Sequence, residues 1–137
     1  MSNPQTPDWI IRHMEFLGIP GQTFTVYISE GVGEDGQYFD LQRMLEEPGR
    51  QEIDLELDSY CVVTGEEVVD YGSLEEVELL PERLTLIFRE ESIDELELPS
   101  NVITLGIDSK IDVDSLREGL KKVLTYGNPV KVPRMNF

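Results

Sequence analysis

Three patterns in the sequence have residue types and spacing that chemistry uses. Gly31-Val32-Gly33-Glu34-Asp35-Gly36 matches the GxGxxG spacing of nucleotide phosphate loops. Such a loop needs a helix N-terminus directly after it, because the free N–H groups there hold the pyrophosphate. Here an alternating apolar segment follows, and Glu34 and Asp35 would repel phosphate. A hairpin turn with Asp35-Gly36 at its tip accounts for the same residues.

The second pattern is a row of acids. Asp54, Glu56 and Asp58 alternate with Ile53, Leu55 and Leu57, which predicts a strand with carboxylates on one face, neighbours lying roughly 6.5–7 Å apart. That spacing is too wide for a compact metal cage, and the alternating acids around a central glycine that mark a calcium loop are absent. A carboxylate pair for glycoside hydrolysis can be drawn anywhere among 28 acids, which removes the specificity of that signal. The third pattern is His13 and Cys61, each the sole residue of its type. One histidine and one distant cysteine make neither a zinc site nor a nucleophilic relay, and Cys61 in Tyr60-Cys61-Val62-Val63 reads as a small buried hydrophobe. Trp9, Phe16 and Phe137 read as core filling before interface anchors. No catalytic residue, cofactor site or metal site is assigned.

Charge says more about partners. The chain carries 28 acids against 11 bases, a net charge of -17 over 137 residues, and residues 30–98 hold 22 of those acids and 4 bases. The stretch 110–137 reverses the balance with Lys110, Arg117, Lys121, Lys122, Lys131 and Arg134 against three acids. A field of this sign repels phosphate backbones and anionic lipid and attracts a basic protein. No apolar run approaches the ~18 residues of a membrane span, and a single cysteine forms no intrachain disulfide, so the expected location is the cytoplasm.

The elements that must position these residues follow from hydrophobic period. Thr6-Pro7-Asp8 reads as a helix start, with Trp9, Ile10, Met14 and Leu17 on one face and Gly18 with Pro20-Gly21 as the stop, a helical extension over 1–22. From Thr23 the period becomes two: Phe24, Val26 and Ile28 alternate with Thr25, Tyr27 and Ser29, and Phe39 and Leu41 with Asp40 and Gln42, predicting a hairpin. Further strands are expected at 53–58, 60–64, 68–71, 74–80, 84–89 and 102–107, and Ser92 is placed to cap a short helical turn. Asp112 caps a helix whose Val113, Leu116, Leu120, Val123 and Leu124 recur at helical spacing. The expected fold class is α+β: one antiparallel sheet of about six to eight strands, open or partly rolled, with the C-terminal helix packed on it and the short N-terminal helix. One domain spans 23–127, and 128–137 forms a tail.

Within that frame stand Tyr38 to Arg43 with its Leu41-Gln42-Arg43, then Asp58-Ser59-Tyr60-Cys61-Val62-Val63-Thr64, Tyr71-Gly72-Ser73-Leu74, Leu84-Thr85-Leu86 and Leu116-Arg117-Glu118-Gly119-Leu120. In the order and spacing of these stretches the chain resembles the bacterial immunity protein 10 family. Ser73 stands where a second glycine is expected, and Met1 to Pro20 reads as an extension of the family core. The resemblance implies an α+β fold without enzymatic activity and a protein that protects a cell by binding a cognate toxin. From the charge argument the toxin is expected to be basic, with Asp54, Glu56, Asp58, Glu66, Glu67, Asp70, Glu76 and Glu78 as contact candidates; nucleic acid and membrane are not expected partners. A non-catalytic adaptor that binds another cellular protein, and a carboxylate-based hydrolase, are the alternatives.

Overall fold

The computed structural model describes residues 7–31, 36–65 and 67–137. Thr6, Glu66 and most of the Gly31–Gly36 loop, Asp35 at its expected tip included, lie outside those residues. Among the described residues ten strands form two five-stranded sheets. Sheet B comprises β2 (His13–Leu17), β3 (Thr23–Ser29), β4 (Tyr38–Met44), β5 (Cys61–Thr64) and β6 (Val69–Tyr71), antiparallel throughout and in chain order. Sheet A has the order β1 (Trp9–Ile11), β9 (Val102–Ile107), β8 (Arg83–Phe88), β7 (Leu74–Leu80) and β10 (Arg134–Asn136). Its three central strands form an antiparallel meander, while β1 and β10 are added in parallel at the two edges.

The expected single antiparallel sheet is therefore corrected to two sheets with two parallel pairings. Both sheets turn one face toward a common core. Phe39 of sheet B lies 5.9 Å, ring centre to ring centre, from Phe88 of sheet A and from Trp9. Each fully buried side chain of this type contributes about 1.5–3 kcal/mol, which is why the alternating apolar residues of β3, β4 and β8 hold the two layers together.

The expected N-terminal helix is absent: Trp9 to Leu17 is extended, and it pairs with both sheets. Trp9 and Ile11 point into the core from sheet A. The chain then crosses at Arg12, whose N–H donates to Ser29, and Met14 and Phe16 point inward from sheet B. The crossing shifts the inward positions by one residue, so Ile11 and Met14 sit three apart and imitate helical spacing. The aromatic and β-branched residues Trp9, Ile10, Ile11 and Phe16 suit the extended state.

The expected strand over 53–58 is also absent. Residues Arg50–Asp54 form a short helix, α1, and Glu56 takes a left-handed φ of 60°, which no continuous strand tolerates. Ile53 and Leu55 are 54% and 59% exposed, so their alternation reflects no buried face. Ser92 lies inside the short helix α2 (Glu90–Glu95) rather than at its cap, which is Arg89. The long helix α3 (Val113–Leu124) conforms to expectation. Asp112 accepts hydrogen bonds from the Asp114 and Ser115 N–H groups, and Leu116, Leu120, Val123 and Leu124 are buried. It packs on the inner face of sheet B at β3 and β4, where Gly119 lets the helix approach Phe16 and Val26.

Candidate functional site

With α3 and sheet A on its inner side, sheet B presents its other side outward. The register defines that outer face in rows across the strands. One row runs Leu17, Thr25, Gln42, Cys61, Tyr71; the next runs Glu15, Tyr27, Asp40, Val63, Val69; a third holds His13, Ser29 and Tyr38. Most of these side chains are half-buried by their neighbours within the sheet, while Leu17, Glu15 and Val69 are exposed.

Asp40 occupies the middle strand of the middle row. Tyr27 is its cross-strand neighbour, and Tyr27 and Tyr38 lie 5.4 Å apart, centre to centre. His13 meets the edge of Tyr27 at 6.3 Å and hydrogen-bonds Glu15 at 2.6 Å. Burial raises the Asp40 carboxyl above its ordinary range, and a hydrogen bond from Gln42 only partly offsets this. Its Oδ1 is withdrawn from solvent and takes no hydrogen bond among the described residues. The Tyr38 phenol is raised by burial first, then by Glu67, Tyr27 and Asp40.

One end of this face continues into a shallow concavity of about 150 Å³ lined by residues including Thr23, Gln42, Met44, Leu57, Cys61 and Tyr71. Cys61 faces outward here, not into the core as its sequence neighbours suggested, and its thiol is pushed up to about 11 by burial and then by Asp40. A thiol held neutral in this way is a poor nucleophile at neutral pH.

The acidic contact candidates are dispersed. Asp54 ends α1, and Glu56 and Asp58 follow it in the loop, where Asp58 accepts the Asn128 N–H through its carbonyl. Their expected common strand face does not exist. Glu67 sits at the β5–β6 turn with φ 60°, and Asp70 in β6 accepts the Ser92 hydroxyl at 2.6 Å. Glu76 and Glu78 lie on β7 in sheet A, where Arg134 pairs with Glu76 at 2.9 Å. Glu66 falls outside the described residues.

Several bases likewise have structural partners. Lys122 stands 4.2 Å over the Phe24 ring, Arg43 lies 4.6 Å over Tyr126, and Arg117 pairs with Asp114 at 2.6 Å. Trp9 stacks on Phe39 and Phe137 packs against the core, whereas Phe16 remains 44% exposed beside α3. Among the described residues no group of three or more His, Cys, Asp or Glu is placed to hold a metal ion. No helix among them is long and apolar enough to cross a membrane.

The sequence pattern alone separated Asp40 and Gln42 from the inward Phe39 and Leu41, but it did not select Asp40. That requires the register of five strands, which brings Glu15, Tyr27, Asp40, Val63 and Val69 from widely spaced positions into one row.

Comparison with curated proteins and with solved structures finds no significant match. The family model for Immunity protein 10 matches residues 13–114, from the start of β2 to the first turn of α3. This interval contains all of sheet B and the central meander of sheet A, well over half the chain. Sheet B, which presents the outward face, lies wholly inside the matched region, and the chain belongs to the immunity protein 10 family.

Proposed function

We propose that this chain neutralises a cognate bacterial toxin by binding it directly in the cytoplasm, without catalysing a reaction. The family match over residues 13–114 is the observation that carries this reading. The net charge of -17 supports a basic toxin domain as partner, because a field of that sign raises the encounter rate with a cation-rich surface. Asp54, Glu56, Asp58, Glu66, Glu67, Asp70, Glu76 and Glu78 are proposed to contribute to that field. The dispersal of those among the described residues over α1 and the loop after it, the β5–β6 turn, β6 and β7 suits long-range steering better than a single contact patch. Asp70 and Glu76, already engaged by Ser92 and Arg134, are the least available for direct contact.

The test is rescue combined with kinetics. Cells expressing a lethal toxin domain should survive when the chain is co-expressed, and the purified chain should bind that domain with an association rate that falls steeply with salt. Neutralising the exposed acids as a set should slow association at low salt. If no toxin domain is neutralised, the reading fails, and an adaptor role becomes the better account. Protection with a salt-independent association rate would retain immunity and remove the electrostatic part.

A further inference from the structure

Resting on the immunity reading, we propose that the outer face of sheet B is the toxin-docking surface. Its occupant presents an arginine or lysine to Asp40, flanked by apolar side chains that lie against Tyr27, Tyr38 and Val63.

The face has the size and composition that such a contact needs. Five strands of three to seven residues, spaced about 4.8 Å apart and rising about 3.3 Å per residue, give a patch of roughly 400 Å² in projection. That is sufficient for the centre of a standard interface, which covers about 800 Å² on each partner. Tyrosines provide large, stiff contact area with a polar tip, the chemistry enriched where binding energy concentrates.

Asp40 then selects the occupant. Covering this face removes the remaining water from a carboxylate whose Oδ1 already lacks a hydrogen bond among the described residues. A purely apolar partner would leave that group buried and unpaired, which is strongly unfavourable. A guanidinium or ammonium inserted beside the Asp40 carboxylate supplies the compensating charge, while Glu15, two strands away in the same row, is held by His13. On the outer side of sheet A, Glu76 is already paired with Arg134.

The experiment measures binding of the toxin domain identified by rescue, purified in an inactivated form, to the full-length chain and its variants. Asp40→Asn keeps shape and removes charge; it should raise Kd at least tenfold, mainly through faster dissociation. Tyr27→Ala should weaken binding by a similar factor, and Glu82→Gln in the β7–β8 turn should leave it within twofold. Circular dichroism and urea denaturation of each variant establish that it is folded before binding is compared. A second readout is covalent footprinting of tyrosines, in which Tyr27 and Tyr38 should become protected in the complex. If the wild-type chain binds and protects while Asp40→Asn and Tyr27→Ala stay within twofold and the tyrosines remain reactive, the docking surface is wrong and immunity stands. If the wild-type chain neither binds nor protects, the immunity reading fails and this surface assignment falls with it.

Discussion

Replacing Tyr60 by phenylalanine should lower the stability of the folded chain by about 2 kcal/mol without changing its fold. Tyr60 is fully buried, immediately before β5 of sheet B. Its hydroxyl accepts a hydrogen bond from the Leu74 N–H at 2.9 Å and donates to the Leu74 carbonyl at 3.3 Å. Leu74 opens β7 of sheet A, so one phenol ties the two layers. Phenylalanine keeps the ring and its buried area, and the hydrophobic contribution is therefore unchanged. What disappears is a net hydrogen-bond contribution of about 1 kcal/mol, and a buried amide is left without its partner, a penalty of about 1–3 kcal/mol on its own. These two descriptions overlap, and about 2 kcal/mol is the central expectation. For a chain of this length that corresponds to a fall in Tm of roughly 5–8 °C. Urea denaturation followed by both fluorescence and circular dichroism measures it, with an unchanged slope showing that the exposed surface on unfolding is the same. A loss below about 0.5 kcal/mol at constant slope would refute the bridging role of the hydroxyl.

Two glycines with similar backbone angles should respond differently to alanine. Gly21 at φ 77° has open space where a Cβ would stand, so only the left-handed conformation opposes the change, about 1 kcal/mol. At Gly127, φ 79°, the Cβ would lie 2.0 Å from the Asp58 carbonyl oxygen, and denaturation should show at least twice the loss; equal losses would contradict the close approach. Asp40→Asn should stabilise the isolated chain near pH 7 and not near pH 3. Because burial raises the folded-state pKa, the native chain holds this proton more tightly than the unfolded one, and stability is lost as pH rises from the unfolded to the folded value. An equal shift at both pH values in denaturation curves would contradict this. Cys61, with its thiol pushed up from 9.0 to about 11, should react with an aromatic disulfide reagent about a hundredfold more slowly than an ordinary exposed thiol at pH 7.5, and faster in Asp40→Asn. A native rate equal to that of a free thiol would contradict its shielding.

Local rules made much of this molecule legible. The Phe24–Ile28 and Phe39–Leu41 alternations became a paired hairpin, and the Asp112 cap with its helical apolar stripe became α3. These signals depend on one strand or one helix and its immediate neighbours. The N-terminal arm imitates a helix because its inward positions belong to two different sheets, and the change of sheet at Arg12 breaks the period that a single strand would show. At 53–58 the opposite occurred, since a perfect alternation of apolar and acidic residues had no sheet to join. The parallel edge pairings of β1 and β10 carry no local signature, because they join segments far apart in the chain. For the site, the acidic composition was plain, yet it drew attention to abundant carboxylates rather than to Asp40. That acid is distinguished by its surroundings, which only the cross-strand register assembles.

The pairing of β1 with β9 imposes an order on synthesis. Trp9–Ile11 leaves the ribosome before every strand of sheet B, but its partner, Val102–Ile107, is made nearly a hundred residues later. At about 5–20 residues per second, the interval lasts roughly 5–20 s. During it, β2 to β6 can zip up in chain order while Trp9 and Ile11, both destined for the core, remain without their strand partner and the second layer. The newborn chain therefore carries a short apolar segment beside an already formed layer while the strand that will pair with it has yet to be made. Completion of the meander in sheet A gives that segment its strand partner, and α3 and β10, made later still, close the fold.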